Sequence, residues 1–117
     1  MVEDRPAKRF YRATKRFPPT DKDYITRQER LGDPPQDIPE GVRKSWDACS
    51  VFDSVEALER QIREVPAIGR HMCRYDIPDN VGITWEETDP PGHYDLRGDK
   101  AVLKKYLVDR VGYVDDV

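Results

Sequence analysis

The hydrophobic pattern divides this chain into short segments with distinct periods. Residues 9–15, RFYRATK, are rich in aromatic and β-favouring side chains and predict a first strand, ended by Pro18-Pro19. Thr20 then stands as a helix N-cap, with Asp21 and Asp23 in the first turn where they favour the helix dipole. Tyr24, Gln28 and Leu31 share one face, with Ile25 beside them, and Gly32 closes the helix. Segment 32–41, GDPPQDIPEG, holds three prolines and two glycines and is expected to be an irregular loop.

Residues 46–52 predict a short second strand. The helix that follows has the clearest pattern in the chain: Asp53 as N-cap, Glu56 at capping-box spacing, and Val55, Leu58, Ile62 and Val65 at helical intervals. Pro66 and Gly69 end it. Residues 70–77 alternate, with Cys73, Tyr75 and Ile77 on one face and Arg74 and Asp76 on the other. A turn at Pro78-Asp79-Asn80 leads to a further alternating strand over 81–88, in which Val81, Ile83 and Trp85 share a face that Glu87 continues. After Asp89-Pro90-Pro91-Gly92, the segment HYDLR is a short strand. Asp99 caps a last helix with Val102, Leu103 and Tyr106 available for burial, and residues 107–114 end as a strand or fray.

Several strands follow one another without an intervening helix. The expected fold is therefore α+β, a mostly antiparallel sheet with two or three packed helices, in a single domain over 1–117. Its expected core contains Tyr24, Trp46, Phe52, Leu58, Ile62, Ile83, Trp85, Leu103 and Leu107.

Composition adds exclusions. The chain has 117 residues, 37% of them charged and 37% hydrophobic, with a net charge of −3. No apolar run approaches the ~20 residues of a membrane-spanning helix, and MVEDRPAKRFYR lacks the apolar stretch of a signal peptide. Two cysteines, Cys49 and Cys73, do not make a disulfide framework, so a reducing cytoplasm is the expected compartment. Charge is unevenly spread. Residues 1–17 carry six basic groups against Glu3 and Asp4, whereas residues 46–117 carry nine basic groups against fifteen acidic ones. Such an end either binds an anion or lies against the acidic half and neutralises it.

Cys49, Cys73, His71 and His93 show no CxxC or HxxxH spacing, so no metal is expected. The glycines sit singly at turns rather than in a phosphate-binding loop, and no GxSxG elbow is present.

One constellation carries chemistry. Tyr11 and Arg12 lie on the first strand, Ser50 lies just before the capped helix, and Glu86 and Glu87 lie on a later strand. This order resembles the Arg–Ser–Glu arrangement of the ADP-ribosyltransferase superfamily. The segment SVFDSVEALERQI, preceded by Arg43-Lys44-Ser45-Trp46, is similar to the middle of small bacterial RES-like members. Two departures stand out: Cys49-Ser50-Val51 replaces Ser-Thr-Ser, and neither Thr84-Trp85-Glu86 nor Trp85-Glu86-Glu87 matches the glutamate motif of arginine-modifying members.

The resemblance implies NAD as cofactor in a small bacterial or phage protein. Arg12 would hold its diphosphate, Ser50 would orient the nicotinamide ribose, and Glu87, or Glu86 if the strand bulges, would stabilise the ribose cation. Tyr11 or Trp46 would wall the nicotinamide. Breaking the nicotinamide–ribose bond develops positive charge on the sugar, where a fixed carboxylate is effective, and a guanidinium fork suits a diphosphate.

Two other classes stay open. The interleaved cations and aromatics of residues 8–17 fit a nucleic-acid-binding strand, although alternation splits the aromatics between faces. A non-catalytic protein-interaction domain, with exposed strand edges as a route to a protein partner or homodimer, accounts for the same residues without catalysis.

Overall fold

The structure, a computed structural model, describes residues 8–117; Glu3, Asp4 and Arg5, counted in the basic N-terminal segment, lie outside the described residues. The strands are β1 (Lys8–Thr14), β2 (Cys49–Phe52), β3 (His71–Ile77), β4 (Thr84–Thr88), β5 (His93–Arg97) and β6 (Leu107–Tyr113). They form one antiparallel sheet in the order β4-β5-β2-β1-β3-β6. The helices are α1 (Arg27–Leu31), α2 (Glu40–Lys44), α3 (Val55–Glu64) and α4 (Lys100–Lys105), with 3-10 turns at Asp21–Tyr24 and Pro66–Ile68. The α+β, antiparallel expectation holds, with four α-helices among the described residues where two or three were expected; of these only α3 exceeds two turns.

Each face of the sheet carries its own core. Alternation along β1 sends Ala13 to one side and Phe10 to the other. On Ala13's side, Phe52 and Met72 meet Leu58 and Ile62 of α3, and Val114 closes the end. On the other side, Phe10, Val51, Tyr75, Ile77 and Leu96 pack beneath Tyr24 of the first 3-10 turn, Ile83 and Leu103 of α4. The hydroxyls of Tyr24 and Tyr75 hydrogen-bond at 2.7 Å inside this second core, which satisfies two polar groups that burial would otherwise penalise. Trp85 and Leu107, expected in the core, are only partly buried and pack against its rim.

Local competition moves several boundaries. The helix expected from Thr20 to Leu31 is broken. The Asp23 carboxylate turns back to accept the Thr20 and Lys15 N–H groups, each at 2.9 Å. Ile25 is extended, and Thr26 caps a new helix by accepting from Glu29 N–H at 3.2 Å. Two nearby capping residues thus outcompete a continuous helix. The cap of α3 is Ser54, whose Oγ accepts from Ala57 N–H, because Asp53 donates its N–H to the Gly92 carbonyl and extends the β2 strand path instead. β2 begins at Cys49 rather than 46, β4 begins at Thr84 rather than 81, and the last residues of the expected loop start α2 at Glu40.

One junction in the sheet is thin. β1 and β3 are in register over seven residues, whereas β1 and β2 share the single pair Tyr11 and Phe52. Beyond that pair the two strands part, dividing the sheet into the halves β4-β5-β2 and β1-β3-β6.

Candidate functional site

A cleft of about 1260 Å³ opens where β1 and β2 part. Its floor includes Ala13, Ser50, Phe52 and His93; segment 22–30 and α2 form one side, and the turn from Glu87 to Pro91 forms another. Arg12, Ser50 and Glu87, which the sequence spreads over 75 positions, all line it. They come from three strands: alternation puts Arg12 on the Phe10 face of β1 and Ser50 on the Phe52 face of β2, and the cleft takes in residues of both faces.

The side chains are not all free. Arg12, half-buried, donates from Nη1 to the Ser50 carbonyl at 2.6 Å and from Nη2 to the Asp23 carbonyl at 2.8 Å. Its fork fills the gap that a β1–β2 ladder would have closed. Ser50 is exposed, so its hydroxyl faces the cleft rather than the core. Glu87 is also exposed and lies beside the Gly92 N–H, which approaches its Oε2 at 3.5 Å.

The other candidates lie elsewhere. Glu86 does not line the cleft and pairs with Lys44 at 3.6 Å. Tyr11 packs beside the α3 core, and Trp46 is buried with its Nε1 donating to the Gly32 carbonyl at 2.7 Å. Neither lines the cleft, so the aromatic surface available there is Phe52 with the imidazole of His93, whose rings meet edge to face at 5.1 Å.

Sequence reasoning missed a polar group beside Ser50. Asp95 stands directly across the ladder from Ser50 and is almost fully buried; its Oδ2 accepts from Ser45 Oγ at 2.7 Å. His93, two residues earlier on the same face of β5, is buried with Nδ1 held by Thr88 Oγ1. Burial pushes the His93 imidazole below its ordinary value, outweighing Asp95, which pulls the other way. Alternation of HYDLR marks His93 and Asp95 as sharing a face; nothing local shows that this face meets a cleft.

The cleft is electropositive in an acidic protein. Six cations (Arg12, Lys15, Lys22, Arg27, Arg30 and Lys44) line it against three carboxylates (Asp23, Glu87 and Asp89). Two of the five described cations of the basic N-terminal segment are paired with acids. Arg9 makes a two-pronged pair with Asp76 at 2.7 and 2.9 Å, and Arg16 lies 3.3 Å from Asp23. Among the described residues, no group of three or more His, Cys, Asp or Glu side chains is placed to hold a metal ion, and no helix is long and apolar enough to cross a membrane.

Comparison with known proteins finds no matching family model, no similar curated protein and no similar solved structure. The functional reading therefore rests on the residues and their geometry.

Proposed function

We propose that this chain binds NAD in the cleft and breaks its nicotinamide–ribose bond, passing ADP-ribose to water or to an acceptor side chain. The observation that carries this reading is the convergence of Arg12, Ser50 and Glu87 on one cavity of dinucleotide scale. In the reaction, the C1′–N bond breaks and its electron pair leaves on the nicotinamide ring nitrogen, which loses its positive charge. The ribose carries that charge until an acceptor oxygen adds to C1′ and releases its proton. Glu87 stabilises the ribose cation, and Ser50 hydrogen-bonds the ribose. Arg12 acts through the backbone, holding the strand that presents Ser50. The test is Glu87→Gln, with turnover followed as nicotinamide release and binding followed by calorimetry. Turnover falls while NAD affinity is kept, because the lost charge acts mainly in the transition state. Retained turnover in that variant removes the assignment. Both thiols are free and buried, which suits the cytoplasmic compartment proposed with this activity.

One observation favours a protein partner in addition. Among the described residues β6 is an edge strand of the sheet, and Val108 and Tyr113 on it are each 48% exposed. An edge of that kind accepts a further strand. Sedimentation of the pure protein, with and without Val108→Lys, tests whether that partner is a second copy.

A further inference from the structure

The sequence between Asp21 and Arg30 interleaves acids and bases, yet the fold draws two of its three acids away from the bases. Asp21 accepts from Lys104 of α4 at 2.8 Å, and Glu29 accepts from Lys100 of α4 at 2.5 Å. Asp23 is buried, with its oxygens taken by the Lys15 and Thr20 N–H groups and by Arg16. Asp21 and Glu29 are thereby drawn away from the cleft to α4, whereas Asp23 stays in its lining with its carboxylate occupied by Arg16 and the two N–H groups. Lys22, Arg27 and Arg30 are left lining it, joined by Lys15 from the end of β1. All four are exposed. Among the described residues none of their side chains has a hydrogen bond or an ion pair; Arg27 alone is engaged, stacked 5.8 Å from the Trp46 ring. Elsewhere on the surface several cations sit on acids: Arg74 on Asp109 at 2.7 Å, Arg63 on Asp116 at 2.9 Å and Arg97 on Asp47 at 3.1 Å.

Four uncompensated positive charges on one wall repel one another, and the arrangement is relieved when an anion enters. Arg27 and Arg30 stand three apart on α1, which puts their side chains on neighbouring positions of one helix face. Two guanidinium forks side by side match two linked phosphoryl groups better than one. Arg12, the residue that strand order suggests for this task, has its fork committed to the Ser50 and Asp23 carbonyls.

We infer that the anion subsite of the cleft is the wall formed by Lys15, Lys22, Arg27 and Arg30, and that it takes a diphosphate. This rests on the NAD reading only for the identity of the whole ligand. A terminal diphosphate of a nucleotide and the internal diphosphate of a dinucleotide present the same chemistry to these cations. A single-stranded oligonucleotide is a different ligand and fits less well, because the aromatic rings of the cleft, Phe52 and His93, are buried and offer successive bases no stacking platform.

Calorimetric titration of the full chain with inorganic pyrophosphate tests the inference. Pyrophosphate binds, and the Lys22→Gln/Arg30→Gln double variant weakens that binding by roughly 20-fold or more, as loss of two charge-assisted contacts requires. Arg60→Gln, an exposed cation on α3 outside the cleft, removes the same kind of charge and leaves affinity within about twofold. Circular dichroism confirms that the variants fold. ADP and NAD as further ligands separate a terminal from an internal diphosphate by which binds more tightly. Absence of pyrophosphate binding, equal weakening by Arg60→Gln, or an oligonucleotide binding far more tightly than any of these ligands overturns the subsite. Pyrophosphate binding without NAD cleavage removes the NAD reading and leaves the subsite standing. NAD binding untouched by the double variant does the reverse.

Discussion

Arg12 holds Ser50 by its backbone: the guanidinium Nη1 lies 2.6 Å from the Ser50 carbonyl, across two strands that share only one registered pair. Nη2 reaches the Asp23 carbonyl at 2.8 Å, so one side chain ties together β1, β2 and the first 3-10 turn. An ammonium lacks this fork. Arg12→Lys therefore loses at least one charge-assisted bond and destabilises the fold by about 2 kcal/mol, lowering Tm by roughly 8 °C in a domain of this size. Thermal melting without ligand checks this. An unchanged Tm means that the guanidinium is not a structural tie.

Glu86 and Glu87 are neighbours with opposite expectations. Glu87 lines the cleft; Glu86 does not, and pairs with Lys44. Under the proposed activity, Glu87→Gln lowers the rate of nicotinamide release by roughly 100-fold or more, a scale set by loss of one transition-state charge contact. Glu86→Gln stays within about twofold, as expected for an exposed pair at 3.6 Å. The two rates, measured side by side, decide between the glutamates.

Stability falls with acid in two stages. Burial holds the His93 imidazole below its ordinary value, and burial followed by the nearby Arg110 does the same for His71. In each case the unfolded chain binds the proton more readily. Their contribution is complete above the unfolded value of about 6.5 and is lost as pH falls through it towards the folded values. The carboxylates come next. Burial pushes Asp23 up, but the N–H groups of Thr20 and Lys15 together with Arg16 outweigh it and hold the carboxyl low. Asp76 is held low first by its hydrogen bond from Arg9. Stability from this pair is present above the unfolded value of about 3.9 and is lost as pH falls through the folded ones. A Tm series from pH 8 downward should decline first below about 6.5 and again below about 4. His93→Gln should soften the first decline and leave the second.

Gly69 seats the end of the second 3-10 turn against β1. It has φ of +122°, and a Cβ there would lie 2.4 Å from both the carbonyl carbon and the oxygen of Thr14. The obstacle is backbone, so a rotamer change offers no relief. Gly69→Ala should destabilise by about 3 kcal/mol or more, close to what Ile62→Ala costs in the α3 core. Denaturant titration of the two variants provides the comparison, and a Gly69→Ala midpoint near the parent's shows that β1 can yield.

The parts legible in the sequence are those whose signal is local. Alternation in RHMCRYDI and HYDLR marks β3 and β5, and the 3.6-residue period of Val55, Leu58 and Ile62 marks α3, because which face is buried is written directly in the side chains. Asp99 and Gly32 act at element ends as their chemistry predicts, whereas Thr20 opens only a 3-10 turn. Three of the six candidate residues, Arg12, Ser50 and Glu87, reach the cleft; Tyr11, Trp46 and Glu86 do not, since strand alternation names a face but not what covers it.

What only the tertiary structure decided depends on contacts between distant segments. The break at Ile25 follows from Asp23 reaching back to Lys15 and Thr20, and from Tyr24 finding Tyr75 across the sheet. The strand order, the single-pair junction of β1 with β2, and the cleft it opens arise from pairings between residues up to tens of positions apart, which no period records. The basic wall is hidden for the same reason. Asp21 and Glu29 look in sequence like partners for the adjacent bases, and only the docking of α4 draws them away through Lys104 and Lys100. Charge in a linear chain is a sum; in the fold it is a direction.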